Sequence, residues 1–100
     1  MKAPGAFSVS GIWIRLPEGR WQHIVREHPE LRGLYEDVLT TIESLLKVLA
    51  GSHGKLLAAR KVAPGKYLVV VYKETGTRDG FVITAFLTRW IRQLEKKVVI

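Results

Sequence analysis

From Phe7 to Leu16 the residues FSVSGIWIRL alternate apolar and polar on either side of Gly11. A period of two predicts a half-buried strand, and a glycine inside it predicts a kink. Pro17, Glu18 and Gly19 follow as a turn, and Arg20 to Glu27 reads as a short helix. That helix should stop near His28, because Pro29 disfavours helical geometry in the residue before it. The clearest helical period comes next: Leu34, Val38, Leu39, Ile42, Leu45, Leu46 and Leu49 form one stripe, with Glu36, Asp37, Thr40, Glu43 and Lys47 on the other side. Glu43 and Lys47 make a favourable i,i+4 pair, and Gly51 is the expected stop.

Strands are predicted at Lys55–Lys61, where LLAA would equally suit a helix, at Lys66–Lys73 and at Gly80–Thr88. The second holds YLVVVY, β-branched and aromatic enough for a central strand buried on both faces. Ala63-Pro64-Gly65 and the polar ETGTRD stretch, Glu74–Asp79, read as the turns between them. Beyond Arg89 a basic helix is expected, with Trp90, Ile91 and Leu94 facing inward and a short strand at Val98–Ile100. Helices before an antiparallel meander predict one α+β domain over residues 1–100. Its N-terminal strand and helices would pack on one face of the sheet, leaving the other face free to bind.

Composition narrows the partners. With no cysteine, disulfides and thiolate metal sites are excluded, which fits a reducing compartment. Met1 to Phe7 lack the basic and apolar regions of a secretory signal, and no apolar run approaches the ~20 residues of a membrane span. A soluble, cytoplasmic protein is therefore expected. The net charge of +7 raises the concentration of polyanions around the surface, so nucleic acid is a better expected partner than lipid.

Candidate chemistry gathers at a few positions. In WQHIVREHPEL, helical spacing puts Trp21, Ile24, Val25 and His28 on one face, and His23 opposite with Arg20 and Glu27. Either histidine is able to transfer protons near neutral pH, although a lone histidine is more often structural. Arg60 ends LLAAR, where a guanidinium suits a phosphate but also suits a strand end in water. Thr84 alternates with Ile83 and Ala85, so its hydroxyl should share a face with Val82 and Phe86. No Gly-rich phosphate loop, HExxH or GxSxG occurs, and the three histidines lack the spacing of a metal site.

Taken together, W-x-H-I-x-x-x-H-P-E-L (Trp21–Leu31), L-L-A-A-R (Leu56–Arg60), Y-L-V-V-V-Y-K-E (Tyr67–Glu74) and G-F-V-I-T-A-F (Gly80–Phe86) carry a likeness. From about Trp21 to Thr88 the chain resembles the barnase–EndoU–colicin–RelE nuclease superfamily, in its phage-associated branch. The resemblance implies helices followed by a curved antiparallel sheet, and RNA cleavage that needs no metal or other cofactor. It also implies toxins of toxin–antitoxin or phage-conflict systems, with an acidic antitoxin or immunity protein as a possible partner. By position it points to His23, His28, Arg60 and Thr84. The chain departs from relatives after the long helix, where Ala50-Gly51-Ser52-His53 replaces a segment that often carries proline and valine, leaving the role of His53 open.

The expected reaction is endoribonuclease transesterification. His23 would act as base or acid with His28 as its counterpart, Arg60 would stabilise charge at phosphorus, and Thr84 would hydrogen-bond phosphate or ribose. Lys73 and Arg78 would hold flanking phosphates. The rival expectation is a non-catalytic RNA-binding or protein-interaction module of the same fold.

Overall fold

A computed structural model describes residues 4–43 and 48–89. The described residues form an α+β fold, a six-stranded sheet in the order β1-β2-β6-β5-β4-β3 with two α-helices. In chain order its elements are β1 (Gly5–Phe7), β2 (Trp13–Arg15), α1 (Glu18–Glu27), a 3-10 turn (Pro29–Leu31), α2 (Tyr35–Glu43), β3 (Val48–Ala50), β4 (Leu56–Ala63), β5 (Lys66–Glu74) and β6 (Gly80–Thr88). The expected C-terminal basic helix and the strand at Val98–Ile100 lie outside the described residues.

The central meander follows the sequence pattern closely. β5 is flanked on both sides, by β4 and by β6, and its residues Leu68, Val69, Val70, Val71 and Tyr72 are all buried. Each large apolar side chain buried there contributes about 1.5–3 kcal/mol. Helix α1 ends before His28 as the proline requires, and the His28 N–H closes the last turn on the Ile24 carbonyl at 2.8 Å.

Three expectations are corrected. The stretch from Phe7 to Leu16 is a hairpin rather than one kinked strand: Gly5, Ala6 and Phe7 pair with Arg15, Ile14 and Trp13. Ser8 makes the reversal, its N–H donating to the Ile12 carbonyl and its Oγ accepting from the Ser10 and Ile12 amides. Its hydroxyl also donates to Glu74 at 2.6 Å, which pins the hairpin to β5. The N-terminal segment thus extends the sheet instead of lying on it.

Secondly, the sheet is mixed. β2 runs parallel to β6, with Ile14 opposite Gly80 and Arg15 opposite Phe81. Glycine makes this junction possible, since a Cβ at position 80 would stand 2.6 Å from both Ile14 Cδ1 and the Lys73 carbonyl oxygen.

Thirdly, the apolar stripe continuing to Leu49 is not all helix, because Val48–Ala50 pairs antiparallel with β4. The strand hydrogen bonds available on the edge of β4 outweigh the helical period there. Gly51 serves that turn and not a helix end: its N–H donates to the Lys55 carbonyl, and a Cβ would come within 2.9 Å of Leu57 Cδ1.

Both helices pack on one side of the sheet. Ile24 from α1 and Val38 and Ile42 from α2 share a core with Ala58, Leu68, Val70, Tyr72, Val82 and Ala85. On the other side, Ala59 and Val69 form a second cluster under Leu57, Tyr67 and Phe86. No described helix covers that second side.

Candidate functional site

The alternation of side chains across each strand decides which candidate residues are able to meet. In β4, Leu56, Ala58 and Arg60 point to the helices, and Leu57, Ala59 and Lys61 to the other side. Arg60 therefore rises beneath α2. Its Nε donates to Thr41 Oγ1 at 3.2 Å and its Nη2 to the Asp37 carboxylate at 3.0 Å. Thr41 in turn donates to the Asp37 carbonyl at 2.7 Å, so one guanidinium closes a small network between strand and helix. A cation held this way docks α2 to the sheet.

Thr84 stands on the opposite side. It pairs with Val71, whereas Val82 pairs with Tyr72, because a bulge inserts one residue between them. The bulge breaks the simple alternation: Val82 enters the helix-side core, while Thr84 shares its face with Phe86, Val71 and Val69. The expected common face of Val82, Thr84 and Phe86 is thereby corrected. Arg60 and Thr84 are on opposite sides of one sheet.

The two histidines also part. His23 is exposed on α1, its Nε2 3.1 Å from Glu27 Oε1, beside a hollow lined by Pro17, Gly19 and Arg20. Helix α1 packs near β6 and Arg60 belongs to β4. With β5 between those strands, about 10 Å of sheet separates them. His28 is different. Its ring lies 6.3 Å from that of Phe86, and its Nδ1 faces Glu30 at 3.6 Å. It reaches Phe86 along a stretch of β6 that β2, paired only at Gly80 and Phe81, leaves uncovered. Among the four predicted catalytic residues, His28 lies beside Phe86, which shares its face of β6 with Thr84, while Arg60 and His23 stand on the helix side.

Pairing register extends this face across the molecule. Ala6 and Ile14 enter the helix-side core, so Phe7, Trp13 and Arg15 project to the second side. Phe81 joins them opposite Lys73, and Tyr67 lies opposite Thr88. The face thus carries Phe7, Trp13, Phe81, Phe86 and Tyr67, with Phe7 and Trp13 packed edge to face at 4.9 Å. Phe7 is 47% exposed, unusual for a side chain of its size. Arg78, in the β5–β6 loop, borders a hollow with Phe7 and Trp13. Arg15 is held by a bidentate pair with Asp79 at 2.9 and 3.0 Å. Lys73, Lys61 and Arg78 have no ion pair among the described residues. Sequence reasoning missed the aromatic members of the face. The signal was present in the alternation of FSVSGIWIRL, but assigning its side required the hairpin.

Comparison with protein-family models, with curated proteins and with solved structures found no match.

Two further groups qualify the site. His53 has φ 59, in the left-handed region that side chains other than glycine seldom adopt. It precedes Gly54, beside which the Lys73 side chain runs. Tyr72, on the helix side, has a buried hydroxyl with no partner among the described residues. Burial, with Glu74 nearby as a second cause, pushes its pKa up to about 12. Tyr35 is raised as well, chiefly by burial, and its hydroxyl donates to the Leu16 carbonyl. Both phenols act as neutral packing groups.

Proposed function

We propose that this chain binds single-stranded RNA on the face of its sheet that no described helix covers and cleaves it by internal transesterification. The observation that carries the reading is His28 against Phe86, an imidazole at the border of the face that bears Thr84. Aromatic rings give bases a surface to stack on, worth about 1–3 kcal/mol per base, and lysines beside them track the phosphates. Phe7, Trp13, Phe81, Phe86 and Tyr67 supply the rings; Lys73, Lys61 and Arg78 supply the charge.

In the reaction, His28 takes the proton of a ribose 2′-OH as that oxygen bonds to the adjacent phosphorus. The bond from phosphorus to the 5′ oxygen breaks, and water protonates the leaving oxygen. The products end in a 2′,3′-cyclic phosphate and a 5′-hydroxyl. Thr84 donates to a non-bridging oxygen, and Lys73, diagonal to it across the strand pair, balances charge at phosphorus. Proton transfer and fixed positive charge suffice for this chemistry.

The test is cleavage of an oligoribonucleotide in EDTA by the wild type and by His28→Ala, Thr84→Val and His23→Ala. Cyclic-phosphate product should appear with wild type and His23→Ala and fall sharply with the other two. Full activity in His28→Ala would remove it from the mechanism. A second reading has its own support, since the network with Asp37 and Thr41 occupies Arg60. On that reading the same face retains RNA in a salt-dependent manner and yields no product.

A further inference from the structure

A hollow of about 480 Å³ lies on the helix side, between α1 and the turn that leads to α2. Its floor is apolar, from Trp21, Val25 and Pro29, and Arg26 and Arg32 border it. Glu18 and Gln22 complete the lining and are joined to each other by a hydrogen bond of 3.2 Å from the Gln22 amide. Neither arginine has an ion pair among the described residues. The Trp21 indole is fixed edge to face on Tyr35, with ring centroids 5.3 Å apart. A rigid aromatic floor beside two free guanidiniums, in a volume suited to a small ligand, has the character of a nucleotide site.

The position matters as much as the lining. Pro29 follows His28, whose ring touches Phe86 at the margin of the sheet face. The hollow and that face therefore meet at the His28–Pro29 junction. We infer that the hollow is a subsite for one flanking nucleotide of the same RNA, with its base on Trp21 and Pro29 and its phosphate between Arg26 and Arg32. The inference rests on the sheet-face reading for the identity of the ligand, but its residues are distinct. It makes the RNA track bend round the edge of β6 at the histidine. Glu18, on the same lining, offers a carboxylate to a base amino group and repels a second phosphate.

Two oligoadenylates separate the sites, one of about 4 nucleotides that fits the sheet face alone and one of about 12 that reaches both. The variant Arg26→Ala/Arg32→Ala should weaken the longer RNA about tenfold and leave the shorter unchanged. The Trp21 indole N–H resonance, assigned with Trp21→Phe, should move with the longer RNA only. Arg20→Ala/Lys66→Ala removes the same charge elsewhere on the helix side and should cost clearly less. Equal losses in the two double variants, or unaltered affinity with a stationary Trp21 resonance, would overturn the subsite. A normal affinity in Tyr67→Ala/Lys73→Ala together with a loss in Arg26→Ala/Arg32→Ala would instead overturn the sheet face and keep the hollow.

Discussion

The two sides of this sheet are built from the same strands and, Arg15 with its partner Asp79 aside, use their polar residues in opposite ways. On the helix side, Arg60 is committed to Asp37 and Thr41, and the Ser8 hydroxyl to Glu74. On the other side, Thr84 and Lys73 stand among aromatic rings without such commitments. A polar group already holding two elements together has little left to offer a ligand. One that is positioned by a rigid strand and still unspent is where binding is expected. Position in a familiar motif therefore matters less than which side of the strand the residue faces.

The contrast is sharpest at the histidines. Removing the imidazole with His28→Ala should lower the cleavage rate by about 100-fold or more, the usual scale of general base catalysis. The same change at His23 should leave the rate within about twofold, since its exposed ring pairs with Glu27 on the surface of α1. Next in size is base stacking. Tyr67→Ala should weaken RNA by about 1–3 kcal/mol, read from binding isotherms at fixed salt.

Alkaline stability probes the helix side alone. The unfolded chain ionises Tyr72 near pH 10.0, whereas the folded protein holds that proton to about 12. Stability from this group is therefore complete below pH 10 and is lost as the pH climbs toward 12, by up to about 1.4 kcal/mol per pH unit. Tyr35 works in the same direction. Denaturation midpoints measured across this range should fall in wild type and fall less in Tyr72→Phe.

Arg60→Ala should destabilise the fold by about 1 kcal/mol, a modest figure because Asp37 is 44% exposed and water screens the pair. RNA affinity per folded molecule should not change. A selective loss of RNA binding in that variant would break the division between the two sides. The smallest effect is expected for Lys73→Ala, which should lower the slope of log K against log salt by about 1.

The meander was legible because the middle of β5, Tyr67–Tyr72, is apolar and β6 begins where the polar turn before it stops. Local chemistry also fixed the end of α1 at His28. Other features depended on partners distant in sequence. Val48–Ala50 continues a helical stripe in pattern and becomes a strand only because β4 lies open beside it. In LLAAR, the neighbours Ala58 and Ala59 are both small and apolar, so nothing local says which side Arg60 takes. The bulge that turns Thr84 away from Val82 likewise leaves no mark in FVITAF. Residue types that suit phosphate chemistry were visible; the facing of their strands was not.

Methyl resonances report that facing directly. With RNA added, the signals of Leu57 and Val71 should shift, because both lie on the aromatic face beside Thr84. Those of Leu68, Val70 and Val82, one pleat away beneath the helices, should stay in place. Shifts confined to the second group would show that RNA engages the helix side and would contradict the account.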